Sequence, residues 1–412
     1  MWPDSELEPS YGMNIELTED NPEVTLALSK IARKLIKVLE KRYVKPVTES
    51  ISRIRSALNV NKYTSTSGSQ GEIVIAVDST WSKPPIELVA GVFGVIVSGY
   101  VVVGPSGTPS YEITDVAMRL GNVEDRVNAS IELTSKILEF NTAYKAINKH
   151  RYADILMLDG ALYFSTRPSF FYPVSEAQLI NEKPENVTDL NRLASIASAM
   201  LIRLLDKCDK MQMPVVGVVK RVSSTFIATI VGEHYPDLYP RIRHINDKAL
   251  LSYVLEPGEY VVLDNYLEVF RKHLNMVLKA GGYEAKRIKE ILKILELCEA
   301  EEGDEALKKL CEYMRNTAIV YYMPKSDLIY KQVARIDVYP KNALDKVLKY
   351  VMENTTQNAV PIPIDYVDRF VRLESSVIKR LYKLAILYSN EAKENVSIVL
   401  GLTNPQKSYL FE

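Results

Sequence analysis

Cysteine and histidine are scarce in this sequence, which limits the kinds of site that it can form. Its 412 residues include three cysteines and four histidines. The cysteines are Cys208, Cys298 and Cys311, an odd set without CxxC spacing. We therefore expect small buried apolar side chains, with neither a disulfide framework nor a zinc site. Such usage suits a reducing compartment and predicts a cytoplasmic protein. The histidines show no HExxH or other paired spacing, so none is assigned to a metal.

The sequence also lacks an excess of positive charge and a long apolar run. Its 51 basic and 52 acidic side chains give a net charge of −1. Binding to DNA would therefore need a local basic patch. The longest uncharged apolar stretch, 88–104, is short for a membrane span. It contains Ser98-Gly99, which we interpret as a hairpin turn between two strands. The first ten residues are polar and acidic, unlike a signal peptide, and we expect no membrane association.

Residues 1–69 are predicted to form a polar leader and a basic helical arm. Between 23 and 60, apolar residues recur at three- and four-residue spacing among lysines and arginines. The arm is either an amphipathic helix with a solvated basic face or a surface for DNA or a partner. Pro46 is expected to divide it. The stretch 64–71 is a predicted linker, 70–400 one domain with a helical insertion at about 265–317, and 401–412 a C-terminal tail.

From residue 72 onward, apolar β-type runs alternate with helical patterns. Predicted strands at 72–78, 86–97 and 100–104 form an antiparallel meander; a helix at 124–148, a strand at 153–159, a helix at 188–209 and a strand at 214–221 follow. Residues 247–320 are mainly helical. A hairpin of 318–324 with 330–340 and helices at 341–354 and 364–390 complete the predicted elements. This order predicts the α/β class: an RNase H-like mixed central sheet flanked by helices.

Two aspartates, Asp78 and Asp159, each stand at the predicted end of a buried strand. A carboxylate there is costly unless it is paired or binds a metal, and ligands of open α/β sheets bind at such strand ends. A glutamate from the intervening helix would complete three hard oxygen ligands, which suit Mn²⁺ or Mg²⁺. Two such ions about 3.5–4 Å apart can promote phosphodiester cleavage. For either aspartate alone, capping of the following turn is the alternative.

The helix between the two aspartates offers two candidate glutamates. Glu132 and Glu139 are seven residues apart, so their side chains point in nearly the same direction. The chain must return to the sheet edge after one helix and a short turn, which favours Glu139, the nearer to Asp159. Glu132 is the alternative.

Three basic residues are candidate contacts to DNA phosphates. Lys220 and Arg221 end a predicted strand on the same side as the aspartates, although a solvated strand end would explain them equally well. Arg335 in VARID could also reach a phosphate. An ion pair with Asp337 or another acid is the alternative.

Several segments, taken in order, resemble the archaeal NurA nuclease family. IVIAVDST (73–80) resembles its first acidic strand, with Ser79-Thr80 where the family usually has Gly-Ser, and LMLDGAL (156–162) resembles its Leu-Asp-Gly motif. The family's second acid is a glutamate on the intervening helix. Four later segments resemble further family motifs: GVVKRVSS (217–224), DKALLSYVLEPGE (247–259), VARIDVYP (333–340) and VPIPIDYVD (360–368). The resemblance covers about 70–375.

This resemblance implies a DNA nuclease that uses Mn²⁺ or Mg²⁺, with two ions expected. It implies 5′→3′ exonuclease activity on single- and double-stranded DNA and endonuclease activity on single strands. The implied setting is resection of double-strand break ends by a homodimer with a hexameric HerA-type ATPase. At the last position of the VPIPIDYVD segment, Asp368 stands where the family has histidine. It would be a fourth metal ligand beside Asp78, Glu139 and Asp159.

A scaffold without catalytic activity and a sugar-kinase-like enzyme are the two alternatives to a nuclease. Val360 stands where the family has tyrosine, which keeps open a catalytically weakened scaffold that binds HerA or other DNA-repair proteins. An ATP-using, sugar-kinase-like enzyme would need a glycine-rich turn after the first strand. Asp78-Ser79-Thr80-Trp81 has none, and the sequence contains no P-loop.

Overall fold

The computed structural model describes residues 22–64, 71–82, 86–88, 91–121, 124–164, 167–281, 284–300, 304–325, 332–374, 380–381 and 384. The predicted leader, nearly all of the linker, the C-terminal tail and most of 375–390 lie outside these residues. The chain divides into two compact units, Met1–Ser50 and Ile51–Glu412.

The smaller unit contains the predicted amphipathic helix. Its helices are α1 (Pro22–Leu39) and α2 (Lys45–Thr48), with a short π-helix between them and Pro46 in the first turn of α2. Leu28, Ile31, Leu35 and Ile36 are all exposed on α1. The sequence pattern therefore predicted the helix, but the expected division at Pro46 is wrong, because the backbone stays helical through this residue to Thr48.

The described part of the larger unit contains ten strands: β1 (Val60–Lys62), β2 (Val74–Trp81), β3 (Ile86–Leu88), β4 (Gly91–Val103), β5 (Ser110–Gly121), β6 (Ile155–Asp159), β7 (Val215–Val219), β8 (Glu259–Leu263), β9 (Ala318–Tyr322) and β10 (Ala334–Tyr339). They form one mixed sheet in the order β1-β8-β9-β10-β7-β6-β2-β4-β3, with β5 paired to β4. Strand β6 runs parallel to β2 and β7, while the other pairs are antiparallel.

The helices of the larger unit are α3 (Ile51–Ala57), α4 (Glu124–Lys149), α5 (Glu176–Asn181), α6 (Leu190–Met211), α7 (Phe226–His234), α8 (Tyr239–Ile242), α9 (Asp247–Val254), α10 (Tyr266–Lys279), α11 (Ala285–Glu299), α12 (Glu305–Arg315), α13 (Leu344–Glu353) and α14 (Ile362–Val371). Short 3₁₀ helices lie at Pro168–Phe171, Pro184–Asn186 and Lys341–Ala343. The segment predicted as a helical insertion thus contains α10, α11 and α12.

Buried apolar residues lie on both faces of the central strands. On one face, Ile131 and Leu138 of α4 pack with Val92 and Ile96 of β4. On the other, residues of α13 and α14, among them Ile364, pack against β2, β6, β7 and β10. The parallel strands β2, β6 and β7 are continuous apolar runs in the sequence because both of their faces are covered. The α/β prediction is confirmed, with α4 and α14 on opposite sides of β2.

The predicted hairpin turn at Ser98-Gly99 is wrong. Residues 91–103 form one strand, β4, and Ser98-Gly99 is a bulge in its pairing with β5. A tight hairpin turn needs positive φ angles, which Gly99 does not have, whereas Gly107 between β4 and β5 has φ 71°. The third strand of the meander is therefore β5, which was not predicted, although apolar Val116, Met118 and Leu120 alternate along it as in a strand. Strand β8 was also missed, within a region predicted as mainly helical.

The cysteine prediction needs a correction as well. Cys298 of α11 and Cys311 of α12 form a disulfide, and only Cys208 is a free buried thiol. Two helices in contact can bring together cysteines whose spacing carries no disulfide signature. None of the described helices is long and apolar enough to cross a membrane.

Candidate metal and DNA site

The parallel strands β2 and β6 place Asp78 beside Asp159. Their register pairs Val77 with Leu158, so the next residue of each strand is an aspartate. Asp159 is the last residue of β6, as predicted. Asp78 does not end its strand, however, because β2 continues to Trp81 and Asp78 pairs with Gly99 of β4. The prediction of two strand-end acids is therefore wrong for Asp78, although both carboxylates lie at the same sheet edge.

Helix α14 brings a third aspartate to this edge. Asp78, Asp159 and Asp368 each offer a carboxylate oxygen, and the three oxygens lie within 4.8 Å of one another. Asp78 is buried, Asp159 is half-buried and Asp368 is exposed. Asp368 is 209 residues from Asp159 in the sequence (368 − 159), and the packing of α14 across β2 closes that gap. These three residues are a set of hard oxygen donors of the kind that Mg²⁺ and Mn²⁺ prefer.

Lys220, which directly follows β7, joins two of these aspartates. Its Nζ donates to Asp159 Oδ2 at 2.7 Å and to Asp368 Oδ1 at 2.8 Å. Burial opposes the charge of this ammonium, but the aspartates outweigh burial and raise the pKa of Lys220 above its ordinary value. Lys220 is therefore a fixed positive charge beside Asp78, Asp159 and Asp368, the three aspartates that we call the acidic cluster.

Asp78 carries the least compensated carboxylate of the group. Asp78 is only 5% exposed, yet within the described residues its carboxylate has no hydrogen bond or ion pair. Burial, followed by repulsion from Asp159 and Glu139, raises the pKa of Asp78 well above its ordinary value. A buried carboxylate without a partner is costly, and a bound cation would remove that cost.

Of the two candidate glutamates, Glu139 points toward the acidic cluster from inside the fold. It is buried, and both of its oxygens accept from Lys136 Nζ at 2.9 Å. Ser79, which follows Asp78, contacts the same carboxylate at 3.5 Å and bonds to Ser135 at 2.5 Å, tying β2 to α4. Glu132 is exposed two turns earlier on α4. Within the described part of the chain, the group of acids that could hold a metal ion consists of Asp78, Asp159 and Asp368, and it includes neither glutamate.

Arg335 lies behind the site in a buried ion pair. Its Nε donates to Asp337 Oδ1 at 2.9 Å, and its guanidinium lies 5.1 Å from the centre of the Phe226 ring. The structure therefore shows the ion pair with Asp337 that was the alternative for Arg335. A contact between Arg335 and a DNA phosphate stays a prediction. Arg221 is exposed beside Lys220.

A cavity of about 870 Å³ contains the acidic cluster. Asp78, Glu139, Asp159, Asp368 and Lys220 line it, and Glu132, Arg221 and Arg335 line it too. The rest of the wall mixes polar, apolar and aromatic side chains, and the residues that we call the aromatic wall are Trp81, Tyr163, Phe164, Phe170, Phe171, Phe226, Tyr266 and Phe270. Six of these aromatic side chains are buried, whereas Trp81 and Phe164 are half-buried and are the two on which a planar group could stack.

The family model described as the NurA domain matches residues 72–373. The chain belongs to the NurA family. A crystal structure of the NurA nuclease from Sulfolobus solfataricus is similar over 88% of this chain and 98% of its own, with a TM-score of 0.52 at 13% identity. NurA bound to dAMP and manganese is similar over 85% of this chain and 94% of its own, with a TM-score of 0.47 at 11% identity.

A comparison with curated protein sequences finds no match. At such low identities the structural likeness shows the NurA fold alone. The motifs therefore identified the NurA family correctly, and the NurA domain includes every candidate residue from Asp78 to Asp368.

Sequence reasoning missed Lys136 and the aromatic wall. Lys136 is one helical turn before Glu139, and this spacing places both side chains on one face of α4. That signal was available in the sequence. The aromatic side chains come from segments between 81 and 270, and nothing in the local pattern separates them from ordinary core residues.

The ion-free protein should lose stability as Glu139 ionises. Burial, opposed by Lys136, raises the pKa of Glu139 from 4.5 to about 7. The native state therefore holds this proton more tightly than the unfolded chain. The resulting stability is fully present below pH 4.5 and is lost as the pH rises through about 7. The shift corresponds to at most about 3 kcal/mol.

Denaturant unfolding of the wild type and Glu139→Gln, with chelator at pH 5 and pH 8, measures this contribution. The wild type should lose more stability than the variant between the two pH values. Glu132→Gln, at the exposed position two turns earlier, should behave as the wild type. Parallel pH profiles for the wild type and Glu139→Gln would contradict the prediction.

Proposed function

We propose that this chain is a DNA nuclease that depends on a divalent metal, Mn²⁺ or Mg²⁺. The observation that carries the proposal is the set of three converging aspartates, Asp78, Asp159 and Asp368, beside Lys220 in the cavity. Membership of the NurA family and likeness to a protein named the NurA nuclease support the same activity.

The residues present fit a divalent ion. Asp78, Asp159 and Asp368 would hold it. Asp78 would gain most from such an ion, because its buried carboxylate has no hydrogen-bonding partner among the described residues. When bound, the ion polarises a phosphoryl oxygen and lowers the pKa of water, which makes a nucleophile available at neutral pH. Asp368 is compatible with this role because a carboxylate binds these hard cations at least as readily as an imidazole does.

The basic residues around the aspartates would position the phosphate. Lys220 already lies between Asp159 and Asp368, where its ammonium can offset charge on the phosphoryl oxygens. Arg221 is exposed beside it and can contact a neighbouring phosphate. Arg335 is committed to Asp337, so in this proposal it supports the aromatic wall, and any contact to DNA is secondary.

The aromatic wall favours DNA with unpaired bases. A base lifted from its neighbours exposes two faces that stack on aromatic side chains, whereas a paired base inside a duplex does not. Phe164 and Tyr163 follow the Asp159 strand closely in sequence and line the same cavity. We therefore propose single strands and the ends of duplexes as substrates. The 5′→3′ exonuclease activity and the endonuclease activity on single strands are proposed from membership of the NurA family alone.

The biological setting is proposed from family membership. It is a homodimer that works with a HerA-type hexameric ATPase in the resection of double-strand break ends. The competing proposal, a weakened scaffold, rests on Val360 in place of tyrosine. Val360 is half-buried and packs against the core between the sheet and α13 and α14. The complete set of acids favours the enzyme over the scaffold.

Incubation of the protein with end-labelled single-stranded DNA and Mn²⁺ tests the proposal. We expect cleavage that chelator abolishes and that Asp159→Ala lacks, because the variant loses a ligand of the ion. An internally labelled circular single strand detects endonuclease activity separately. Absence of metal-dependent cleavage, or equal cleavage by the variant, would leave the scaffold as the better account.

A further inference from the structure

Lys136 lies where Glu139 meets the Asp159 strand. Its Nζ donates to both carboxylate oxygens of Glu139 at 2.9 Å and to the backbone carbonyl oxygen of Asp159 at 2.5 Å. A carboxylate and a carbonyl oxygen beside a second carboxylate are also the groups that a divalent cation would bind. The ammonium therefore already occupies a cation-binding position.

The backbone leaves room for this ammonium. Gly160, directly after Asp159, has φ 110°, and a Cβ atom built on it would come within 3.0 Å of Lys136 Nζ. The Lys136 side chain is 15% exposed and that of Glu139 is 2% exposed. An ion pair this well enclosed is weakly screened by solvent, so removing the ammonium would leave a buried uncompensated carboxylate.

The charges of the cluster match a single divalent ion. With every group ionised, the carboxylates of Asp78, Glu139, Asp159 and Asp368 carry four negative charges, and the ammoniums of Lys136 and Lys220 carry two positive ones. The remaining two negative charges equal one divalent ion. A second ion would leave two uncompensated positive charges in a partly buried site, or one after a single substrate phosphate had bound.

We propose that the ammonium of Lys136 takes the place of a second divalent cation. The site then holds one ion per chain, on Asp78, Asp159 and Asp368. Glu139 serves as a positioning residue that holds Lys136 against the Asp159 strand. This inference rests on the proposed function, and it departs from the two ions expected from the sequence.

Counting Mn²⁺ ions on the full-length protein without DNA tests the inference. Calorimetric titration should give one ion per chain for the wild type and two for Lys136→Met, which keeps the length of the side chain but frees Glu139. Lys136→Arg keeps the charge and should give one ion. Lys145→Met removes an exposed ammonium from the same helix, paired with Asp115, and should also give one ion. Thermal unfolding checks that each variant is folded.

The paramagnetic spectrum of bound Mn²⁺ is an independent readout. Ions about 3.5–4 Å apart couple magnetically, so the spectrum of Lys136→Met should show coupling that the wild type lacks. Two ions on the wild type, or one ion on Lys136→Met, would overturn the role of Lys136 and leave the nuclease proposal intact. A wild type that binds no Mn²⁺ and cleaves no DNA would overturn the proposed function, and this inference with it.

Discussion

Asp78→Asn is expected to lower the rate of Mn²⁺-dependent DNA cleavage by roughly a thousandfold. The carboxylate is buried, has no hydrogen-bonding partner among the described residues and shares its site with Asp159 and Asp368. An amide of the same shape keeps the packing of β2 but removes one anionic ligand. A loss of about 4 kcal/mol of electrostatic stabilisation corresponds to that change in rate.

The same substitution should stabilise the ion-free protein. Burial and two neighbouring acids raise the pKa of Asp78, so its ionised form opposes folding at neutral pH. Thermal unfolding in chelator should therefore give a higher melting temperature for Asp78→Asn than for the wild type. Added Mn²⁺ should raise the melting temperature of the wild type and leave that of the variant almost unchanged.

Asp365→Asn is the matched control. Asp365 lies one turn before Asp368 on α14 and pairs with Arg369 on the helix surface. Its substitution should change neither cleavage nor the response to Mn²⁺. The assignment of Asp78 would be wrong if Asp78→Asn cleaved DNA at the wild-type rate, or if it gained as much stability from Mn²⁺ as the wild type does.

Asp337→Ala should destabilise the fold by about 3–5 kcal/mol, because it leaves the buried guanidinium of Arg335 without its partner. Asp337 is fully buried, accepts from two nitrogens of Arg335 and also accepts from the backbone amide of Leu162 at 3.3 Å. Denaturant unfolding of the two proteins gives the difference in unfolding free energy.

Replacing both members of the pair separates its contributions. The double variant Arg335→Met with Asp337→Leu should recover most of the stability lost in Asp337→Ala, since no buried charge remains. A loss under about 1 kcal/mol for Asp337→Ala, within the range of exposed ion pairs, would mean that Arg335 is accessible to solvent. The prediction that it contacts DNA phosphates would then regain support.

The short-range patterns were sufficient to identify the elements around the site. The apolar runs before Asp78 and Asp159 predicted β2 and β6, because a strand covered on both faces is apolar throughout. The three- and four-residue spacing between them predicted α4, because a helix buries one face. The bulge at Ser98-Gly99 was mistaken for a turn because both need small residues, and only backbone φ angles distinguish them.

The sequence by itself determined the α/β class, the NurA family and the residue types of the site. Those features depend on local hydrophobic pattern and on the order of short motifs, which a linear chain carries directly. Only the tertiary structure decided which acids meet. The packing of α14 across β2 brings Asp368 to Asp78 and Asp159, while the packing of α4 on the sheet brings Lys136 to the backbone carbonyl oxygen of Asp159. Such contacts join residues that are up to hundreds of positions apart, and their distances depend on how helices pack on the sheet rather than on any local pattern.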